Sequence, residues 1–111
     1  MLVYERKRNT LLVRLNGELD HSASMRVRAE LDGLIAEGGI RRLVFDLRDL
    51  RFMDSSGIGL IIGRYKMMKR RGGSVAICGS NARIDRIFDM AGVYQLVERK
   101  AEGGQRDAVH Q

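Results

Sequence analysis

Asp54-Ser55-Ser56-Gly57 sets a carboxylate and two hydroxyls directly ahead of apolar residues at 58, 61, 62, 65 and 68. The spacing predicts a loop, Arg51 to Met53, entering an amphipathic helix whose first-turn amides these side chains can cap. A helix amino end carries partial positive charge and unpaired N–H groups, so it accommodates an added phosphate better than most protein surfaces. Two uses of the serines therefore stand side by side, helix capping and phosphorylation.

Other chemistries have weaker support. A serine nucleophile needs a base, and His21 is a candidate partner of Ser55 because both fall in loops at one end of the expected sheet. Nothing like Gly-x-Ser-x-Gly surrounds the serine, however, and no third group to orient His21 is evident. Asp20 and Asp54 are a candidate carboxylate pair, yet each has a simpler use as a loop hydrogen-bonder or cap. The phosphate cradles Gly-x-x-x-x-Gly-Lys-Ser/Thr and Gly-x-Gly-x-x-Gly are absent. His21 and His110 are the only histidines, neither in a His-Glu-x-x-His arrangement, and Cys78 is the only cysteine. No catalytic residue, metal or cofactor is expected, and Cys78, inside an apolar run, reads as buried packing.

The elements that position these groups follow from periodicity. Leu2 to Arg8 and Thr10 to Asn16 read as a hairpin with one buried face, Leu11, Val13 and Leu15 alternating with Leu12, Arg14 and Asn16. Gly17 to His21 breaks the alternation as a loop. Asp20 or Ser22 then caps a helix with the stripe Ala23, Val27, Leu31, Leu34 and Ile35, which Glu37-Gly38-Gly39 ends. Arg42 to Leu47 is a nearly continuous apolar run, as in a central strand covered on both sides or nearly so. The Asp54 helix follows and stops at Arg71-Gly72-Gly73, and Ser74 to Cys78 is a further buried strand. A third helix starts near Ser80 or Asn81, carries Ile84, Ile87, Phe88 and Ala91 as its stripe, and closes at Gly92. Val93 to Arg99 is a last strand with Val93, Leu96 and Val97 as apolar members. Residues 101–111 read as a marginal helix or a frayed tail. Strands alternating with helices after a hairpin imply parallel pairing and right-handed crossovers, hence the α/β class and one domain over 1–111. Sites on such sheets favour strand carboxyl ends, where both the Gly17 to His21 and Asp54 to Gly57 segments fall.

A chain of 111 residues can bury roughly 60 to 70% of its unfolded surface without staples. A lone cysteine, no basic-then-apolar leader and no apolar run near membrane-span length point to a soluble cytoplasmic protein. The net charge of +6 leaves an acidic partner open. The basic residues are nevertheless scattered and lack interleaved aromatics, which argues against a nucleic-acid groove.

Projected at the helical period, the Asp54 helix turns Ile58, Ile61, Ile62, Tyr65 and Met68 to one face and Gly59, Leu60, Gly63, Met67 and Arg70 to the other. Each mid-helix glycine costs about 1 kcal/mol relative to alanine. Something should therefore approach them closely, either an external partner or the sheet or a neighbouring helix.

The run Phe52-Met53-Asp54-Ser55-Ser56-Gly57-Ile58-Gly59, then Gly63-Arg64-Tyr65-Lys66, with Gly17-Glu18-Leu19-Asp20-His21 and Arg86-Ile87-Phe88-Asp89-Met90-Ala91-Gly92, resembles the bacterial anti-sigma factor antagonists of the STAS domain family. More narrowly it resembles the sporulation members from endospore-forming bacteria. The likeness runs from the first hairpin to about Val97. It implies a STAS-like domain, a small mixed sheet with alternating helices, and a switch protein without catalytic activity.

In that family the unphosphorylated antagonist binds an anti-sigma factor that is also a serine kinase, freeing the sigma factor. The kinase phosphorylates the first serine of the Asp-Ser-Ser-Gly motif, here Ser55, and a PP2C-type phosphatase reverses it. The resemblance makes Asp20, Asp54, Ser56 and Gly57 the surroundings of the phosphosite. On the same footing, Glu18, His21, Ile58, Gly59, Leu60, Gly63 and Met67 are the expected partner surface. The free protein is expected to be a monomer with no direct contact to nucleic acid or membrane. The alternative is a STAS module that binds a nucleotide or serves as a scaffold for a different partner.

Overall fold

A computed structural model describes residues 1–101. A polar turn at Arg8 and Asn9 joins β1 (Leu2–Lys7) to β2 (Thr10–Leu19) as an antiparallel hairpin, with Leu2 opposite Leu15 and Lys7 opposite Thr10. Then come α1 (His21–Ala36), β3 (Arg42–Met53), α2 (Ser55–Arg70), β4 (Ser74–Cys78) and α3 (Ala82–Ala91). A 3₁₀ turn, Val93–Gln95, leads to the short β5 (Glu98–Arg99). The strands lie in chain order across the sheet, and every pair after the hairpin is parallel.

Right-handed crossovers that always step the same way across a sheet put their helices on one face. Accordingly, Val27, Leu31 and Ile35 of α1, Ile61 and Met68 of α2, and Ile84 and Phe88 of α3 share one apolar cluster with Leu11, Val13, Phe45 and Ile77. β3 is therefore not sandwiched between helices as its apolar run suggested. Val44 belongs to a separate small cluster with Ala76, Cys78 and Leu12 on the opposite side of the sheet. Asp46 on that side is 3% exposed and paired with Arg14 (3.4 Å) and Arg48 (3.1 Å).

β2 and β3 both run further than expected. Gly17 to Leu19 and Arg51 to Met53, read as loops from the sequence, belong to the strands, as do the intervening Arg48 to Leu50. Two bulges account for this. β3 advances from Asp46 to Asp49 while β2 advances from Arg14 to Asn16, and again from Leu50 to Phe52 against Gly17 to Glu18. Each extra residue resets the alternation of faces, so Leu47, Leu50 and Met53 all reach the helix-side core. Gly17, at the second bulge, takes φ +82, a conformation open to glycine at little cost. The resulting register sets Leu19 beside Met53, so the next residues, Asp20 and Asp54, open their helices from adjacent positions.

α2 sits on this strand end rotated from the expected face. It buries Gly57, Leu60, Ile61, Arg64 and Met68, so Leu60 points inward, while Ile58, Ile62 and Tyr65 are half-buried at the margin of the core. The cause is Gly57. A Cβ there would lie 2.5 Å from Met53 Cγ and 3.0 Å from Leu19 Cδ2, so only glycine lets the first turn press onto both side chains.

α3 ends at Gly92 as its stripe implied, although Ala91 is exposed. Beyond it the expected strand Val93–Arg99 is instead the 3₁₀ turn and a two-residue strand, with Leu96 exposed. Tyr94 draws this segment back onto α3. Its ring meets Phe88 edge-on at 5.5 Å, and its hydroxyl donates to Asp85 at 2.6 Å. Asp85 also accepts from Arg99 (2.6 Å) and Ser80. Burial, then the hydrogen bond to Asp85, push the Tyr94 pKa up to about 12. Apart from Ala101, the expected marginal helix or tail over 101–111 lies outside the described residues, as does His110.

Two outcomes follow for stability. Gly57→Ala is expected to destabilise by about 1–3 kcal/mol through overpacking, whereas Gly59→Ala, whose Cβ meets nothing within 4 Å, should stabilise by up to about 1 kcal/mol. Urea titration of the two variants checks the contrast. For Tyr94 the folded value exceeds the unfolded one of about 10. Its contribution is fully present below pH ~10 and is lost as pH rises through about 12. The unfolding midpoint of Tyr94→Phe should accordingly fall less steeply across that window than that of the wild type.

Candidate functional site

β2 and β3 deliver their helices to the same end of the sheet, and each helix is capped by the residue that follows its strand. Asp20 Oδ1 accepts from the Ala23 amide at 2.9 Å, and Asp54 Oδ1 from the Ser56 amide at 2.8 Å. Asp20, not Ser22, is thus the cap of α1. The Asp54 amide donates to the Leu19 carbonyl at 3.3 Å, tying the start of α2 to the end of β2. Each carboxylate is engaged by its own helix, the role of a cap and not of an acid–base pair.

Ser55 and Ser56 are the first two residues of α2, and their surroundings differ. Ser55 is exposed, and its hydroxyl makes no hydrogen bond among the described residues. Ser56 is half-buried, with its Oγ 3.3 Å from His21 Nδ1. The histidine considered as a base for Ser55 therefore meets the neighbouring serine instead. Among the described residues Ser56 is its one hydrogen-bond partner, so the orienting third group of a nucleophilic triad is not supplied. Among the same residues no three His, Cys, Asp or Glu side chains group as metal ligands. What the place offers is two helix amino ends side by side, whose free amides and dipoles suit an anion.

The expected partner surface is redistributed by the rotation of α2. Glu18 is exposed at the strand end, 3.8 Å from Arg51. Gly57 is internal, Leu60 is 4% exposed, and Ile58 and Met67 are half-buried against the core. His21 and Gly59 are exposed and Gly63 is half-buried, and among the described residues a Cβ at either glycine would find no atom within 4 Å. The close approach that two mid-helix glycines imply is not made among the described residues. Both border a groove of about 400 Å³ between α1 and α2, headed by His21 and Ser56. Phe52, 42% exposed, follows Arg51 near the same end of β3.

The groove also holds Ser24, Met25, Arg28 and Arg64, none of which sequence reasoning singled out. A signal existed for all but Met25. Ser24, Arg28 and Asp32 recur at i, i+4 on one face of α1, and Arg64 falls four residues from both Leu60 and Met68, a charge at a core period. The Arg64 side chain is 6% exposed and lies 3.2 Å from Asp32 in an ion pair whose geometry is not that of a hydrogen bond. Arg64 Nη1 and Ser24 Oγ are buried without a hydrogen-bond partner. Burial pulls the Arg64 pKa below its ordinary value, Asp32 opposes that shift, and Arg28 adds to it.

A mixed sheet with one hairpin, one-sided helices and a capped Asp-Ser-Ser-Gly turn at the strand ends defines a STAS domain, and the STAS family model matches residues 1–104. The chain belongs to the STAS domain family. It is 43% identical over 93 residues to the anti-sigma F factor antagonist of Paenibacillus polymyxa, covering 84% of this chain and 80% of that protein. Among solved structures, the anti-sigma factor antagonist SpoIIAA in its unphosphorylated form matches with TM-score 0.83 and 29% identity over 98% of this chain and 96% of that one. The Bacillus cell fate determinant SpoIIAA in its phosphorylated form matches with TM-score 0.76 and 29% identity over 98% and 99%. No helix among the described residues is long and apolar enough to cross a membrane.

Removing either cap tests how the site is held. Asp20→Ala and Asp54→Ala are each expected to lower stability by about 0.5–2 kcal/mol. In amide hydrogen exchange the loss of protection should start at Ala23 in the first variant and at Ser56 in the second.

Proposed function

We propose that this chain is an anti-sigma factor antagonist whose unphosphorylated form binds an anti-sigma factor that is also a serine kinase, and that phosphorylation of Ser55 ends that binding. A PP2C-type phosphatase restores the active form. The protein acts in the cytoplasm, as a monomer when free, as a regulator rather than an enzyme. The observation that carries this reading is the contrast between the two serines. Ser55 is exposed with a free hydroxyl at the first position of a helix, while Ser56 is half-buried against His21. The names of the relatives support the same reading, as does the existence of a phosphorylated form of SpoIIAA.

The switch is electrostatic and local. A phosphate on Ser55 adds about −1.5 to −2 charge at neutral pH, beside Asp54 and close to the Asp20 cap. The dipole of α2 and its free first-turn amides stabilise that charge within the protein, so the fold persists. A partner seated over the helix amino ends, His21, Glu18 and the Gly59–Gly63 face loses fit and meets an unpaired dianion, and it dissociates. Of the expected contacts, Gly57 acts from below, by seating α2, and Leu60 as the floor of the groove.

The test is binding and phosphorylation of the wild type, Ser55→Ala and Ser55→Asp with the cognate anti-sigma kinase and ATP, read by intact mass and calorimetry. Ser55→Ala should bind and take no phosphate. Ser55→Asp should bind at least about tenfold more weakly, since like-charge juxtaposition costs one or more kcal/mol. Full affinity of Ser55→Asp, or a phosphate on Ser55→Ala, overturns the assignment.

A further inference from the structure

Between α1 and α2 the charges are out of balance. Arg28 and Arg64 share one carboxylate, Asp32, at 3.9 Å and 3.2 Å. Two guanidinium groups against one carboxylate leave +2 − 1 = +1 in the seam. Among the described residues no Asp or Glu lines the groove itself, and the amino end of α2 at its head adds positive potential. Arg64 is fixed: its side chain is 6% exposed, and its Nη1 is buried without a hydrogen-bond partner. Arg28 is its opposite, 68% exposed and held only by the long contact to Asp32. A buried cation whose neutralising carboxylate is shared with a second, exposed cation favours an additional anion.

The shape of the groove indicates what carries that anion. Gly59 and Gly63 lie one turn apart along α2 with no atom within 4 Å of a Cβ built on either, so a second backbone can approach there closely. Met25, 61% exposed, supplies an apolar contact on the α1 wall. We propose that the groove receives a helix of the anti-sigma partner, and that an Asp or Glu on that helix pairs with Arg28. Arg28 leaves Asp32 as it does so, and Asp32 is then wholly available to Arg64. The pair exchange neutralises the seam without burying an unmatched charge. Arg28 is thus the residue that selects an acidic partner side chain. This inference rests on the antagonist reading given above and adds the chemistry of the contact.

The test uses the intact protein and its cognate anti-sigma factor, with affinity measured by calorimetry at several salt concentrations. Arg28 is exposed, so Arg28→Gln and Arg28→Glu should retain the wild-type unfolding midpoint to within a few degrees. Arg28→Gln should weaken binding and flatten its salt dependence, and Arg28→Glu should weaken it at least about tenfold. One Asp→Lys or Glu→Lys change on the partner helix should restore binding to Arg28→Glu while weakening binding to the wild type. Wild-type binding with undiminished affinity of Arg28→Glu overturns this inference and leaves the antagonist reading standing. Absence of wild-type binding overturns both.

Discussion

The contact on which the rest of the site depends is the one between Gly57 and the paired side chains of Leu19 and Met53. Two bulges in β3 bring Leu19 and Met53 to the same level at the ends of parallel strands. The missing side chain at position 57 then lets the first turn of α2 settle onto both. From that seat come the rotation of α2, the inward turn of Leu60 and Arg64, and the outward turn of Gly59 and Gly63. The two helix amino ends emerge side by side for the same reason, each capped by the aspartate that follows its strand. The site is the edge of the core's own packing, not a loop laid over it.

A platform of this kind suits a charge switch. Its hydroxyl at the first position of α2 faces water, its neighbour is engaged by His21, and its caps hold the backbone through short bonds to Ala23 and Ser56. Adding charge at Ser55 changes what an approaching surface meets while the backbone beneath is held by Leu19, Met53 and the cap aspartates. The seam between α1 and α2 extends the same electrostatics along the groove. There the excess is positive, and at Ser55, the proposed phosphosite, the added charge would be negative, so the proposed acidic partner helix would be attracted along one part of its footprint and repelled at the other.

Much of this was legible in the residues. The hairpin, the alternation of strands and helices, the cap Asp54, the caps Asp20 and Asn81 as one of two candidates each, and the closure of α3 at Gly92 all follow from local rules whose signals lie within a few residues of each other. The ends of β2 and β3 did not, because Glu18, Arg48, Asp49 and Arg51 interrupt the apolar pattern and two bulges shift its phase. The rotation of α2 was equally hidden. Ile58, Ile62 and Tyr65 are more apolar than Gly57 and Arg64, so a helical projection assigns them the core, whereas the steric demand at Gly57 decides the matter. Arg64 was overlooked for a related reason, as the carboxylate it meets, Asp32, comes from α1, a different helix. The last strand was lost to Tyr94, whose bond to Asp85 depends on a contact across nine residues.

The most direct measurement is a residue-resolved comparison of backbone amide chemical shifts and hydrogen exchange between the unphosphorylated and Ser55-phosphorylated protein, made beside calorimetric binding of both to the anti-sigma partner. A charge switch on a rigid platform predicts a large loss of affinity with changes confined to the amino ends of α1 and α2 and the groove between them. Protection of Leu19, Leu50 and Met53 should be unaltered. Loss of affinity accompanied by shifts and deprotection spreading through β2 and β3 would contradict it, since the phosphate would then act by unseating α2.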